Sequence, residues 1–171
     1  MQRYFQLVQF VHASAHPRRR LQRTLQEAYQ DVVDGLRNRR IPFVLHGAFA
    51  LAAYGFERAT ADLDLLTSSE PARVEGVFSL MGALGAVPGQ PGPRVARTAV
   101  DRGDRHLAFN LSGWTIDFFL DPEFKALRRR AVRRRFGGRT VWVIARRDLV
   151  RRKRARGTKQ DLADIERLEK G

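Results

Sequence analysis

The chain contains no cysteine, which excludes disulfides, thiolate metal sites and a cysteine nucleophile. This fits a reducing cytoplasm, the expected location. Long apolar runs are also missing. None approaches the roughly 20 residues that span a bilayer, so no membrane partner is expected. The first residues, MQRYFQLVQFVHASAHPRRR, lack the basic, apolar and cleavage regions of a signal peptide. Acidic residues and lysine are scarce. Lys+Arg number 32 against 18 Asp+Glu, giving a net charge of +14. Codon bias explains arginine over lysine but not the net excess. Such a field attracts polyanions and makes their binding salt-dependent, so nucleic acid is the expected partner.

The chain has 171 residues, of which 43% are hydrophobic. That predicts one globular domain, residues 1–171, with a sizeable core. It has an N-terminal helical segment (1–40) and closing helices (146–171). Residues 1–12 are compatible with a short helix, and Pro17 to Arg20 break the pattern. From Leu21 to about Arg39 the apolar spacing is helical, and Pro42 marks the passage into a strand.

The most informative stretch is Phe43 to Thr67, FVLHGAFALAAYGFERATADLDLLT. A short apolar run leads to a small-residue turn, Gly47-Ala48. A helix follows from Phe49 to Tyr54, then a polar loop with Arg58 and Thr60, then an apolar run carrying Asp62 and Asp64. In a strand, residues i and i+2 share a face, so the two carboxylates project together and repel. A divalent cation relieves that repulsion, and carboxylate oxygens suit Mg²⁺. The turn before the helix offers free backbone N–H groups to phosphate. Together these point to phosphoryl or nucleotidyl transfer. D-h-D pairs alone are common at solvated strand ends; the upstream glycine turn and the intervening R-x-T raise the specificity. His46 reads either as a phosphate-facing residue or, better, as a strand-end histidine with a satisfied hydrogen bond.

Downstream, a helix is predicted from Pro71 to Leu84, and Val87 to Pro93 read as a loop. Strands follow at His106–Leu111 and Trp114–Leu120 around a Ser112-Gly113 turn. Asp117 sits inside the second, where a carboxylate needs a partner. A helix is predicted from Asp121-Pro122 through Val132. It is loaded with Arg128, Arg129, Arg130, Arg133, Arg134 and Arg135. This is the densest basic cluster and the candidate nucleic-acid contact; its plain alternative is a solvated face. Thr140–Ile144 reads as a strand, and Arg146–Gly171 as two helices with Thr158 capping the second.

The pattern h-G-[GS], helix, G-x-x-R-x-T-x-D-h-D resembles the DNA polymerase β-like nucleotidyltransferase superfamily. Within it, the chain looks most like the minimal, AbiEii-type toxin-like nucleotidyltransferases. The resemblance implies an α/β (α+β) fold, a small mixed twisted sheet with packed helices. It also implies transfer of a nucleoside monophosphate from an NTP to an acceptor. Two Mg²⁺ ions on Asp62, Asp64 and Asp117 are expected, with Gly47, Ala48, Arg58 and Thr60 on the nucleotide. In D-L-V-x-x-K and K-x-D-L-x-D-I it places Lys153 on phosphate and Asp161 beside it, with Asp164 one turn later. The implied acceptor is RNA, plausibly a tRNA end, in a toxin–antitoxin setting with an antitoxin partner; a protein acceptor stays open. Ala48 departs from the usual Gly-Gly or Gly-Ser, and its alternative is a degenerate binding module on the same fold.

Overall fold

The computed structural model describes residues 23–89 and 92–170; the expectations for residues 1–12 and 17–20 lie outside them. Helix α1 (Leu25–Asn38) opens with a capping box. The Thr24 hydroxyl accepts from the Glu27 N–H, and the Glu27 carboxylate accepts from the Thr24 N–H. Leu25, Ala28, Tyr29, Val32, Val33 and Leu36 form its buried stripe.

Strand β1 (Phe43–Leu45) leads directly into α2 (Gly47–Ala53). Then come β2 (Asp62–Ser68), α3 (Pro71–Ala83), β3 (Val87–Pro88), α4 (Ala96–Arg102), β4 (His106–Leu111) and β5 (Trp114–Asp121). The chain continues through α5 (Phe124–Arg130), β6 (Val132–Phe136), β7 (Arg139–Val143), α6 (Arg146–Arg156) and α7 (Lys159–Lys170). The strands form one mixed sheet in the order β3-β4-β5-β2-β1-β7-β6, as the α/β expectation requires. β2 runs parallel to β5 and antiparallel to β1, and β1 runs parallel to β7. β1 is buried throughout, as befits a central strand covered on both faces. β5 alternates: Trp114, Ile116, Phe118 and Leu120 are buried, while Thr115, Asp117, Phe119 and Asp121 are partly exposed. Among the described residues, no helix is long and apolar enough to cross a membrane.

The arginine-rich segment corrects the sequence reading. The helix stops at Arg130, and Val132–Phe136 is a strand paired antiparallel with β7. The Gly137-Gly138 turn, with both glycines at positive φ, folds this segment into a hairpin, and the ladder outweighs its helix propensity. The six arginines are therefore split between a helix and a strand. Two smaller differences concern pairing and packing. Val87 and Pro88 pair with Asn110 and Phe109 rather than lying in a loop. Ala96–Arg102 forms a helix that carries only one buried residue, Ala99, too short a pattern to read from periodicity.

The β6–β7 hairpin is fastened to the helical layer by Phe136. Its ring sits edge-on to Tyr29 and Phe49, at centroid distances of 5.6 Å each. The Tyr29 hydroxyl donates to the Phe136 carbonyl at 3.0 Å. Phe136→Ala should lower unfolding free energy by about 3–5 kcal/mol in urea melts; a loss below about 1 kcal/mol would show that the hairpin is not part of this core.

Candidate active site

Asp64 lies opposite Asp117 in the parallel β2–β5 register, and Asp62 lies opposite Thr115. In-register neighbours share a face, so all three carboxylates stand on the partly exposed face of the sheet. Gly47 closes in from the side at φ +59. A Cβ there would lie 1.7 Å from the Asp64 Oδ2, so glycine is required by both conformation and space. The first α2 turn closes with Ala50 N–H to His46 C=O at 3.1 Å. The Gly47, Ala48 and Phe49 amides precede that bond and have no partner within the helix. Ala48 is buried, so its contribution to a ligand is restricted to its backbone.

This crowding sets the electrostatics. Burial pushes the Asp64 carboxyl up to about 6, and the Asp117 and Asp62 charges push the same way; Arg156 and Arg58 pull it back. Oxygen donors on one face, mutually repelling and partly desolvated, fit a hard divalent cation. Among the described residues, no group of three donors is drawn together closely enough to hold an ion as the side chains stand. Instead the Asp117 Oδ1 is 2.7 Å from His106 Nε2. That hydrogen bond raises the His106 pKa. His106 also stacks on Phe119 at 4.9 Å.

A cavity of about 370 Å³ adjoins the carboxylates, lined by His46, Gly47, Asp64 and Phe119 on one side and Arg152, Lys153 and Arg156 on the other. His46 differs from the satisfied strand-end histidine favoured by sequence. Its Nδ1 is enclosed without a hydrogen-bond partner, and its ring meets Phe119 edge-on at 5.8 Å. Burial, with Arg152, Lys153 and Arg156 nearby, lowers its pKa to about 3, so the ring is neutral at physiological pH.

Helices α6 and α7 supply the cationic wall. Asp148, buried, accepts a two-pronged contact from Arg130 at 2.8 and 3.1 Å, which ties α6 to α5. Gly157 ends α6 in the left-handed region. Thr158 then caps α7: its hydroxyl accepts from the Asp161 N–H at 3.1 Å and donates to the Asp161 carboxylate at 2.6 Å. Lys153 is buried, with Nζ 2.7 Å from Asp164 and 3.4 Å from Asp161. Arg156 also grips Asp161, and these partners hold the Asp161 carboxyl far below the usual carboxylate range, Arg156 foremost. Arg58 Nε is 3.4 Å from Asp164, linking the loop before β2 to α7.

The sequence-derived residues thus fall into two connected groups. Asp62, Asp64, Asp117 and Gly47 form the carboxylate end. Lys153, Asp161 and Arg58 form a buried ion network behind it. Thr60 serves Asp62 locally, its hydroxyl 3.3 Å from the Asp62 N–H. The arginine cluster does not converge here: Arg130 is spent on Asp148, Arg128 covers Trp142, and Arg134 lies over Tyr54 at 5.7 Å. Sequence reasoning missed His106, Arg152, Arg156 and Phe119. For the two arginines the signal was available, because i and i+4 share a helix face.

No family model matches the chain, and no curated protein matches it. Solved structures do. The antibiotic-resistance factor ANT(2'')-Ia superposes with a TM-score of 0.65 at 14% identity, covering 86% of this chain and 83% of that one. The lincosamide antibiotic adenylyltransferase LnuA gives 0.60 at 12% identity, covering 85% and 96%. The chain has the nucleotidyltransferase fold. A Thermotoga maritima protein assigned as a nucleotidyltransferase matches likewise, at 0.57 and 13% identity over 84% and 89%.

Two measurements test this electrostatic account. Lys153→Met removes the ammonium buried between Asp161 and Asp164 and leaves each with one arginine, Arg156 and Arg58 respectively, so stability should fall by about 3–5 kcal/mol; a change under about 1 kcal/mol would contradict the buried network. For Asp64 the folded pKa, about 6, exceeds the ordinary 3.8. The native state therefore binds the extra proton between those values, and stability falls as pH rises through that window. In EDTA, Asp64→Asn should match the parent below about pH 4 and exceed it by roughly 1–3 kcal/mol above pH 6. A difference that does not vary with pH would refute the crowding.

Proposed function

We propose that the protein transfers a nucleoside monophosphate from an NTP to a hydroxyl of an RNA acceptor. The observation that carries this reading is the pairing of Asp64 with Asp117 across β2 and β5, with Asp62 on the same face and a cation-lined cavity alongside. Asp62, Asp64 and Asp117 would hold Mg²⁺, which, when bound, supplies activation of the acceptor hydroxyl and neutralisation of the leaving pyrophosphate. The Gly47 and Ala48 amides contact phosphate at the turn. Arg156 and Arg152, rather than the buried Lys153, meet the triphosphate in the cavity. Lys153 and Asp161 act behind them by fixing α6 against α7. The acceptor oxygen bonds to the α-phosphorus as the bond to pyrophosphate breaks. Its proton passes to the Asp117 carboxylate, which leaves His106, 2.7 Å away in this structure, to join Asp62 and Asp64.

The acceptor follows from charge. ANT(2'')-Ia has been solved with adenylyl-2''-tobramycin, and an aminoglycoside carries cationic amines. A chain of net charge +14 draws a polyanion in preference to such a molecule. An RNA end, such as that of a tRNA, suits it, and the toxin–antitoxin setting with an antitoxin partner belongs to the same proposal.

The protein, Mg²⁺ and each α-labelled NTP in turn should move label onto total RNA, and Asp62→Ala/Asp64→Ala should reduce transfer to background. Tobramycin and lincomycin should take no label. Label on protein would change the acceptor, and no transfer with any NTP would overturn the catalytic reading in favour of a degenerate binding module.

A further inference from the structure

A second cavity, of about 380 Å³, lies at the other end of β1 from the carboxylates. Phe43, the first residue of β1, lines it, whereas Gly47 just beyond the strand lines the first. Its walls bring together Arg37 and Arg40 from the end of α1, Arg128 from α5 and Arg133 from β6, around Trp142 of β7. Among the described residues, no acidic one lines it.

Three observations set this cluster apart from ordinary surface arginine. Several arginines that flank the sheet and the closing helices are neutralised, as Arg130 is by Asp148, Arg139 by Asp34 and Arg152 by Asp121. Around Trp142, no ion pair to a carboxylate is made by Arg37, Arg40, Arg128 or Arg133 among the described residues; Arg37 donates only to the Thr140 carbonyl. Asp34, which lies close enough to feel Arg37, is already held by Arg139. Secondly, Arg128 Cζ lies over the Trp142 ring, 3.7 Å from its centroid, with Arg133 Cζ at 5.9 Å. Thirdly, Arg40 adopts φ +53, a left-handed conformation unusual for a long side chain. It is kept there by Arg40 N–H to Arg37 C=O at 2.9 Å and by Arg73, which donates to the Arg40 carbonyl at 3.2 Å.

We infer that this cavity binds the backbone of a single-stranded nucleic acid. Guanidinium forks match phosphate oxygens two at a time, and four of them without acids repel each other until an anion arrives. An arginine–tryptophan contact beside those forks offers a base the kind of surface that strand-binding proteins use. An acidic peptide satisfies the charges but gains nothing from that surface. The surface is separate from the carboxylate site and holds whether or not transfer occurs there.

The test is binding of a labelled 12-nucleotide single-stranded RNA, read by anisotropy across a salt series and by quenching of Trp142 fluorescence. It is run on the parent and in the Asp62→Ala/Asp64→Ala background, where affinity should be unchanged. Arg40→Glu/Arg133→Glu, both exposed, should weaken binding at least tenfold and reduce the salt slope by about 1.4. Trp142→Phe should abolish the quench. Lys125→Glu/Arg147→Glu, an equal change in net charge elsewhere, should cost less than twofold, with circular dichroism confirming that each variant is folded. Equal losses in the two double variants would mean diffuse charge only and would overturn the proposal. So would polyglutamate binding as tightly as RNA at the same ionic strength. So would inorganic phosphate or ATP displacing the RNA at concentrations that saturate a single-phosphate site.

Discussion

Everything around the site answers one constraint: Asp64 is placed where its charge is unwelcome. Neighbouring strands lie about 4.8 Å apart, and at that separation two carboxylates repel by about 3.5 kcal/mol at an effective dielectric of 20. Asp117 faces Asp64 across that gap, Asp62 adds a third charge, and the Gly47 backbone takes the space on another side. Neighbouring side chains compensate this repulsion partially. His106 takes up Asp117, while Arg58 and Arg156 soften the field at Asp64.

Compensation of another kind holds the cationic wall in place. Lys153, Arg156 and Arg58 converge on Asp161 and Asp164 across α6 and α7. Lys153 and both acids are buried, and pairs of that kind gain little over apolar packing but are costly to disrupt. Their effect is positional: they fix which face of α6 meets the cavity, and so present Arg152 and Arg156 to it. Lysine at 153 therefore acts as a keystone between two acids, and its neighbours one turn apart carry the exposed charge.

The sequence revealed the parts of this scheme that are local. The glycine turn, the D-h-D strand, the buried stripe of α1 and the Thr158 cap each declare themselves within a few residues. Asp117 was legible because a carboxylate in an apolar strand demands an explanation. What was hidden depends on partners far along the chain. His106 becomes notable only when β4 folds against β5. The arginine run reads as helix until Gly137-Gly138 turns Val132–Phe136 back onto β7. Once it does, a supposed continuous basic face divides, one arginine bracing α6 through Asp148 and another lying over Trp142. His46, plain in sequence, proves to be a neutral ring enclosed at the cavity wall.

The central claim is that the three carboxylates are built to share a divalent cation. Its most direct test is a crystal grown with Mn²⁺ and a non-hydrolysable NTP, examined for anomalous scattering. The account predicts a peak between the Asp62 and Asp64 carboxylates, with Asp117 released from His106 to join them and phosphate seated at Gly47. Nucleotide bound elsewhere, with no peak between β2 and β5 and Asp117 still on His106, would contradict it.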